Sequence, residues 1–379
     1  MTLTATSDTP VAPNTRLGAA TQAVAAFFQH PWVAGIVRLS AVEDSLRLLH
    51  PMLSLTQPRA RVVRIVHETA DTKTFVLQPN ALWHGRRTAL AGQYVQLQLE
   101  INGRQVQRLY SISSTPGARC FAITVKRQPG GLVSHYLHAQ VKVGDVWAVG
   151  QPEGSFVLPA TLPPKLLLLS AGSGITPVMA MLKDLQARRY PGDVVFLHVC
   201  RNPGELIFAK RLQAIAAQYP ELSVVTHFDD ISGRFGPEAL QLAVPDVAER
   251  STYLCGPSGL MDAIHQHWQA QAYTAPLHSE RFVAFPLLPS SAPGTPVNVS
   301  LASSGTQFVT QGNAPLLVQA ENAGLNPKHG CRIGICRSCQ CTKRSGTVEN
   351  LQTGELSSAP NEAIRLCISV ARSDVTLLL

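Results

Sequence analysis

The segment Cys331-Arg-Ile-Gly-Ile-Cys336-Arg-Ser-Cys339 crowds three cysteines together, and a fourth, Cys367, stands well downstream in Arg365-Leu-Cys-Ile-Ser369. The spacing C-x4-C-x2-C…C delivers four thiolates to one 2Fe-2S cluster. Structural zinc sites usually present their thiolates as two short-spaced pairs, a pattern this segment does not follow. Gly334, between the first two cysteines, suits a loop that wraps closely round a cluster with backbone amides aimed at its sulfur. Cys341 lies two residues past Cys339 and shares its face on an extended segment, so geometry alone does not separate them. The spacing rule favours Cys339 and leaves Cys341 for packing. A cluster of this kind stores one electron at a time, so the rest of the chain has to account for the electron's source.

Working back from the cluster, the segment Pro286 to Pro296 reads Pro-Leu-Leu-Pro-Ser-Ser-Ala-Pro-Gly-Thr-Pro, a linker by composition. Before it, Pro163-Pro164 opens a fully apolar run, Leu166 to Leu169, followed by a glycine loop, a helical stretch and Val194-Val-Phe-Leu-His-Val. Buried strands alternating with helices predict a doubly wound parallel sheet. Earlier still, from Ala60 to Leu158, short alternating or β-branched runs such as Arg61-Val-Val-Arg-Ile-Val and Tyr94-Val-Gln-Leu-Gln-Leu predict an antiparallel barrel of about six strands. Residues 1 to about 14 have the composition of a disordered tail, and Leu17 to Leu48 recur near helical period with Pro31 as a break.

The expected organisation is therefore multidomain. A partly helical N-terminal extension covers 1–55, an antiparallel β-barrel 56–160 and an α/β doubly wound parallel sheet 161–284. A linker over 285–296 leads to an α+β cluster domain over 297–379, and there is no internal repeat. A chain of 379 residues with 45% apolar content is long enough for such a set. No run approaches the length of a membrane span, and the N-terminus lacks the pattern of a secretory signal, so the chain is expected to be soluble and cytoplasmic. Scattered single thiols at Cys120, Cys200 and Cys255 fit a reducing compartment. The net charge of +8 suggests an acidic ligand or partner, yet there is no lysine-rich run and no recognised nucleic-acid module.

Three further motifs carry chemistry. In the barrel, Arg108-Leu109-Tyr110-Ser111 places a cation and an aromatic face on one side of a strand, which suits a flat anionic cofactor. Val125-Lys126-Arg127 then leads to Gly130-Gly131-Leu132-Val133-Ser134, a nest of free amides at a helix start that a pyrophosphate can occupy. In the doubly wound region Ser170-Ala-Gly172-Ser173-Gly174-Ile-Thr176-Pro177 supplies a tight turn and a close phosphate approach at a helix N-terminus. Its partner is Tyr253-Leu-Cys255-Gly256-Pro257, at a later strand. Strand Val194 to Cys200 ends in Arg201 rather than in an acidic residue that would hold a ribose 2′-hydroxyl, which predicts NADPH over NADH.

Together these motifs resemble the ferredoxin-NADP reductase superfamily fused to a C-terminal plant-type 2Fe-2S ferredoxin domain, a resemblance covering roughly residues 58 to 379. It implies a β-grasp fold for the cluster domain, with Cys331, Cys336, Cys339 and Cys367 as ligands. Arg108 to Ser111 would then flank the isoalloxazine and diphosphate. The Gly131–Ser134 loop, with Lys126, would complete the flavin cradle, and Cys255-Gly256-Pro257 would sit at the nicotinamide. His278-Ser-Glu280-Arg281-Phe282 resembles the end of the reductase module, so Ser111, Cys255 and Glu280 would surround the hydride path. The competing reading of Glu280 is a solvated surface carboxylate. The stretch Gly131 to His138 is similar to the FAD-using group rather than to the FMN-using phthalate dioxygenase reductases.

The implied activity is an NAD(P)H-dependent oxidoreductase that passes electrons through FAD and the cluster to a separate oxygen-activating protein. The order flavin, nicotinamide, ferredoxin resembles the reductase components of phenylacetyl-CoA epoxidase, of hybrid-cluster protein and of fatty acyl-CoA desaturases, and the helical lead into Ala60-Arg-Val-Val-Arg-Ile-Val looks most like the desaturase partners. A membrane-bound desaturase or hydroxylase is the expected acceptor, which would place the chain at the inner membrane through its partner. The chain has no histidine-rich box of its own. Two rivals stand: a reductase for a Rieske-type or di-iron ring oxygenase, and a redox-sensing binding module without dedicated turnover.

Overall fold

The computed structural model describes residues 39–84, 89–282, 295–310, 313–328, 334 and 339–379. The expected disordered tail, most of the helical lead, most of the linker and two predicted cluster ligands, Cys331 and Cys336, lie outside them. The chain divides into two compact units, 1–282 and 283–379.

The first unit begins with α1 (Leu39–Leu49) and a six-stranded antiparallel sheet: β1 (Arg59–Thr69), β2 (Thr72–Pro79), β3 (Tyr94–Ile101), β4 (Arg104–Ser111), β5 (Phe121–Lys126) and β6 (Val146–Val149). Their order is β4-β3-β6-β1-β2-β5. A bridge between Ile112 and Ile123 brings the end of β4 onto β5 and closes the sheet, as the alternating strands predict. Val95, Leu97, Leu99 and Ile101 point inward at every second position of β3 and meet Val62, Phe75, Leu77 and Ile123. That period of two is why the strand reads Tyr-Val-Gln-Leu-Gln-Leu-Glu-Ile. Helix α2 (Leu132–Ala139) crosses between β5 and β6, burying Val133 and Leu137 in the same core.

The same unit continues into a five-stranded parallel sheet: β7 (Lys165–Ala171), β8 (Asp193–Cys200), β9 (Leu222–Phe228), β10 (Ser251–Cys255) and β11 (Leu277–Glu280). The order β11-β10-β7-β8-β9 puts the first strand in the middle. Both faces are covered, which explains four consecutive leucines in β7. Leu166 and Leu168 pack against α3 (Ile175–Ala187) and α4 (Ala209–Ala216), while Leu167 and Leu169 pack against α5 (Pro237–Ala243) and α6 (Ser258–Ala270). All four leucines are fully buried, each worth roughly 1.5–3 kcal/mol of transfer free energy. Because chain order reverses around β7, the crevice outside its C-terminal end is where such sheets bind ligands.

Among its described residues the second unit has a mixed sheet with one α-helix, α7 (Leu316–Asn322), against it, as expected of a β-grasp. β12 (Asn298–Leu301) and β13 (Gln307–Val309) form a hairpin, and β19 (Val375–Leu378) runs parallel to β12. β14 (Gln340–Ser345) and β17 (Glu362–Arg365) complete the order β13-β12-β19-β14-β17. A separate three-stranded sheet comprises β15 (Val348–Asn350), β16 (Leu356–Ser357) and β18 (Ser369–Ala371). Lys343 of β14 is fully buried, yet its ammonium donates to Gly346 O at 3.1 Å and Ser357 O at 2.8 Å and faces Glu362 at 3.3 Å. A buried charge with three acceptors escapes most of the penalty of an unpaired one.

Candidate functional site

At the barrel end of the first unit, the antiparallel register sets Arg108 opposite Leu97, Tyr110 opposite Val95 and Ser111 opposite Tyr94. Arg108 and Tyr110 therefore share a face with Leu109 turned the other way, as their spacing predicts. The Arg108 guanidinium is exposed and donates to Gln107 O at 2.7 Å, whereas Ser111 is buried. Burial pushes the Tyr110 phenol well above its ordinary value, against the opposing pull of Arg108, so the ring presents a neutral aromatic surface.

The loop before α2 is clamped by its own serine. Ser134 Oγ accepts from Gln128 N at 3.1 Å and donates to Gly131 O at 3.1 Å, which holds the amides of residues 132–134 at the helix start, while Gly131 N is itself bonded to Gln128 O at 3.0 Å. Leu132 turns outward and Val133 inward. Ser134 thus shapes the anion nest with its hydroxyl already committed within the loop. Lys126, at the end of β5, lies 3.4 Å from Asp71 and 3.0 Å from Glu205 of the parallel-sheet domain.

In the parallel sheet, Gly172–Gly174 forms a single turn between β7 and α3. A Cβ on Gly174 would lie 2.1 Å from the carbonyl oxygen of Cys255, so only glycine lets this turn approach the Cys255-Gly256-Pro257 segment. Thr176 Oγ1 donates to Ser173 O at 3.1 Å, and Pro177 follows inside the first turn of α3, where its missing N–H costs no helical bond. The strand register aligns Glu280 with Cys255, Cys255 with Ser170 and Ser170 with His198, a polar row across four adjacent strand ends. Two of the predicted hydride-path residues, Cys255 and Glu280, are thereby side by side. Ser111 stands on the barrel side, and Lys183 of α3 reaches across to donate to Ser113 O at 2.6 Å, two residues beyond it.

The electrostatics of this row are set by burial. The Glu280 carboxyl is pushed up to about 8, and its Oε2 is buried without a hydrogen-bond partner among the described residues. Burial, helped by the neighbouring Glu280, also pushes the Cys255 thiol up, so it stays protonated rather than acting as a nucleophile. His198 is held down at about 3 by burial, partly countered by its 2.9 Å bond to Ser170, and is neutral. An orphaned carboxyl oxygen and a glycine cradle at the switch point fit a polar heterocycle such as nicotinamide.

In the second unit, Cys339 and Cys367 are both buried, and Leu366 N donates to Cys339 O at 3.1 Å, bringing the two segments together. Gly334 N donates to Cys367 Sγ at 3.2 Å, an amide aimed at the sulfur of a predicted ligand. Gly334 has φ +78°, and a Cβ there would sit 2.9 Å from Ile368. Cys339 and Cys367, the two of the four predicted ligands among the described residues, offer buried thiols that fit a cluster. Cys341 packs in the apolar core of this unit beside Ile364, its cross-strand partner.

Residues 59–158 match the oxidoreductase FAD-binding domain, 168–266 the oxidoreductase NAD-binding domain and 299–372 the 2Fe-2S iron-sulfur cluster binding domain. An NADPH oxidoreductase from Mycobacterium tuberculosis is 35% identical over 339 residues, covering 88% of each chain. The chain belongs to the ferredoxin-NADP reductase superfamily, in the branch with a C-terminal ferredoxin domain. A glycine betaine monooxygenase reductase subunit from Pseudomonas aeruginosa is 30% identical over 368 residues, covering 88% of this chain and 99% of that one. Phthalate dioxygenase reductase shares the fold, with a TM-score of 0.60 at 23% identity over 85% of this chain and 97% of that structure. The protein is an NAD(P)H-dependent FAD and 2Fe-2S oxidoreductase that transfers electrons, like the reductase components of oxygenases. No helix of the described residues is long and apolar enough to cross a membrane.

Sequence reasoning missed Glu205, Lys183 and His198. Glu205 stands four residues after Arg201, and this i,i+4 spacing is the one signal that pointed to their ion pair.

Proposed function

We propose that this reductase takes electrons from NADPH and delivers them singly to a separate oxygen-activating iron protein, a fatty acyl-CoA desaturase or hydroxylase. When bound, nicotinamide, FAD and cluster supply the redox chemistry, a hydride in and single electrons out. The chain's residues orient and insulate that chemistry. Arg108, Tyr110 and the amides of residues 132–134 hold the flavin, with Gly131 shaping the turn before them, while Gly174 and Cys255-Gly256-Pro257 seat the nicotinamide. Cys331, Cys336, Cys339 and Cys367 bind the iron. Ser111, Cys255 and Glu280 line the hydride path, the last as a protonated, uncharged group at neutral pH. Arg201, exposed at the end of β8, takes the 2′-phosphate. The observation that carries this reading is the Glu280–Cys255–Ser170 row at the switch point, in a chain that also buries cluster thiols.

A second reading, favoured by the match to a glycine betaine monooxygenase reductase subunit over 99% of its length, is an oxygenase as the acceptor. Purified reductase supplied with NADPH and either a membrane-bound desaturase or a soluble oxygenase component from the same cell separates the two. The desaturase reading expects NADPH-dependent desaturation. Turnover with the oxygenase alone supports the second reading, and slow cytochrome c reduction with neither acceptor active returns the redox-sensing module.

A further inference from the structure

Three charged groups meet where the barrel adjoins the parallel sheet. Glu205, in the turn Pro203–Glu205 that follows β8, pairs one carboxylate oxygen with Arg201 and the other with Lys126 at 3.0 Å. Arg201 belongs to the nucleotide domain and Lys126 to the flavin domain, so one carboxylate serves cations from both. Asp71, 3.4 Å from Lys126, adds a second negative charge. Asn202, between Arg201 and the turn, accepts from Gly204 N at 3.1 Å and donates to Asp230 at 3.2 Å, fixing the backbone that presents Glu205. Glu205 is only 18% exposed on its side chain, whereas Arg201 is 66% exposed and open to a ligand on its outer side. Burial alone would raise the Glu205 carboxyl, but its bonds to Arg201 and Lys126 outweigh that and hold it below the ordinary value.

A dinucleotide lying across the ends of β7 and β8 brings its adenosine ribose to this turn. Two chemistries compete there: a guanidinium favours a 2′-phosphate, whereas a carboxylate accepts from a free 2′-hydroxyl and repels the phosphate. We propose that Glu205 is a specificity-determining residue, whose carboxylate neutralises Arg201 and Lys126 and so narrows the preference for NADPH over NADH. This rests on the reading of Arg201 as the 2′-phosphate group's partner.

The test uses the intact protein with FAD and cluster bound, titrated calorimetrically with 2′,5′-ADP and with ADP. Glu205→Gln should bind 2′,5′-ADP about five- to tenfold more tightly than the wild type and ADP no more tightly, since the variant loses the charge that repels the 2′-phosphate together with the carboxylate that accepts from a free 2′-hydroxyl. Glu205→Ala should move in the same direction, and retained flavin and cluster spectra certify either variant. Arg201→Ala separates the two levels of the argument, because it should weaken 2′,5′-ADP by a similar factor. If Arg201→Ala weakens binding while neither Glu205 variant tightens it, the inference about Glu205 is overturned and the Arg201 reading survives. If Arg201→Ala changes nothing, that reading falls and the inference with it.

Discussion

Burial holds the Glu280 carboxyl at about 8 instead of 4.5, so the folded protein keeps a proton that the unfolded chain releases. Its contribution to stability is fully present below 4.5 and is lost as pH rises through about 8. Glu280→Gln, which cannot titrate, should therefore show a melting temperature that falls less over this window than the wild type's. Parallel melting curves would contradict the assignment. The same variant should slow flavin reduction by NADPH by roughly 10- to 100-fold if the group acts at the hydride path, with FAD content unchanged. A surface carboxylate would leave that rate alone. Glu280 was visible in the sequence only through its motif, because neither its burial nor its missing hydrogen bond follows from Leu-His-Ser-Glu. Lys343 makes the same point from the other unit: Gln-Cys-Thr-Lys-Arg-Ser reads as an ordinary charged strand, yet its lysine is fully buried on the carbonyls of Gly346, in the turn after β14, and of Ser357 in β16.

Elements were legible where one local pattern had one physical cause. Four leucines in β7 require two covered faces, and Ser-Ala-Gly-Ser-Gly at its end requires a turn close to something. What it approaches, the Cys255 carbonyl, depends on β10 lying beside β7, a pairing between strands far apart in sequence. Gly174→Ala should push the turn off that segment and lower kcat/KM for NADPH by roughly 10- to 100-fold, while flavin and iron content stay intact. Equal efficiency in that variant would show that the turn does not seat the nucleotide. Helix α1 offers a second test at this scale. The apolar positions Val24, Phe27, Phe28, Val33, Ile36, Val37 and Leu39 that lead into it read from sequence either as packing on the flavin domain or as docking on a membrane or a membrane-bound partner, and all but Leu39 lie outside the described residues. Glu43 of α1 accepts from Leu55 N at 3.0 Å and bonds Ser54, which ties the helix to the segment entering β1. Leu48 and Leu49 at its end are exposed. Deleting residues 1–50 should thus lower the melting temperature of the flavin domain. Unchanged stability, with desaturation lost in membranes and cytochrome c reduction kept, would favour docking.

Across the whole molecule, the order of motifs along the chain, flavin, nicotinamide and cluster, is the order of the three matched domains. The contacts joining the first two domains, Lys126 with Glu205 and Lys183 with Ser113, were not legible, since each spans the meeting of a barrel and a sheet and leaves no periodic trace. The central claim is that electrons enter at the flavin as a pair and leave singly by the cluster. Anaerobic stopped-flow mixing of NADPH with wild type and Cys339→Ser, in the presence of the acceptor protein, measures both steps at once. Flavin bleaching should proceed at the same rate in the two proteins, with iron lost and acceptor reduction abolished in the variant. Acceptor reduction at the wild-type rate in a variant that has lost its iron would contradict the account.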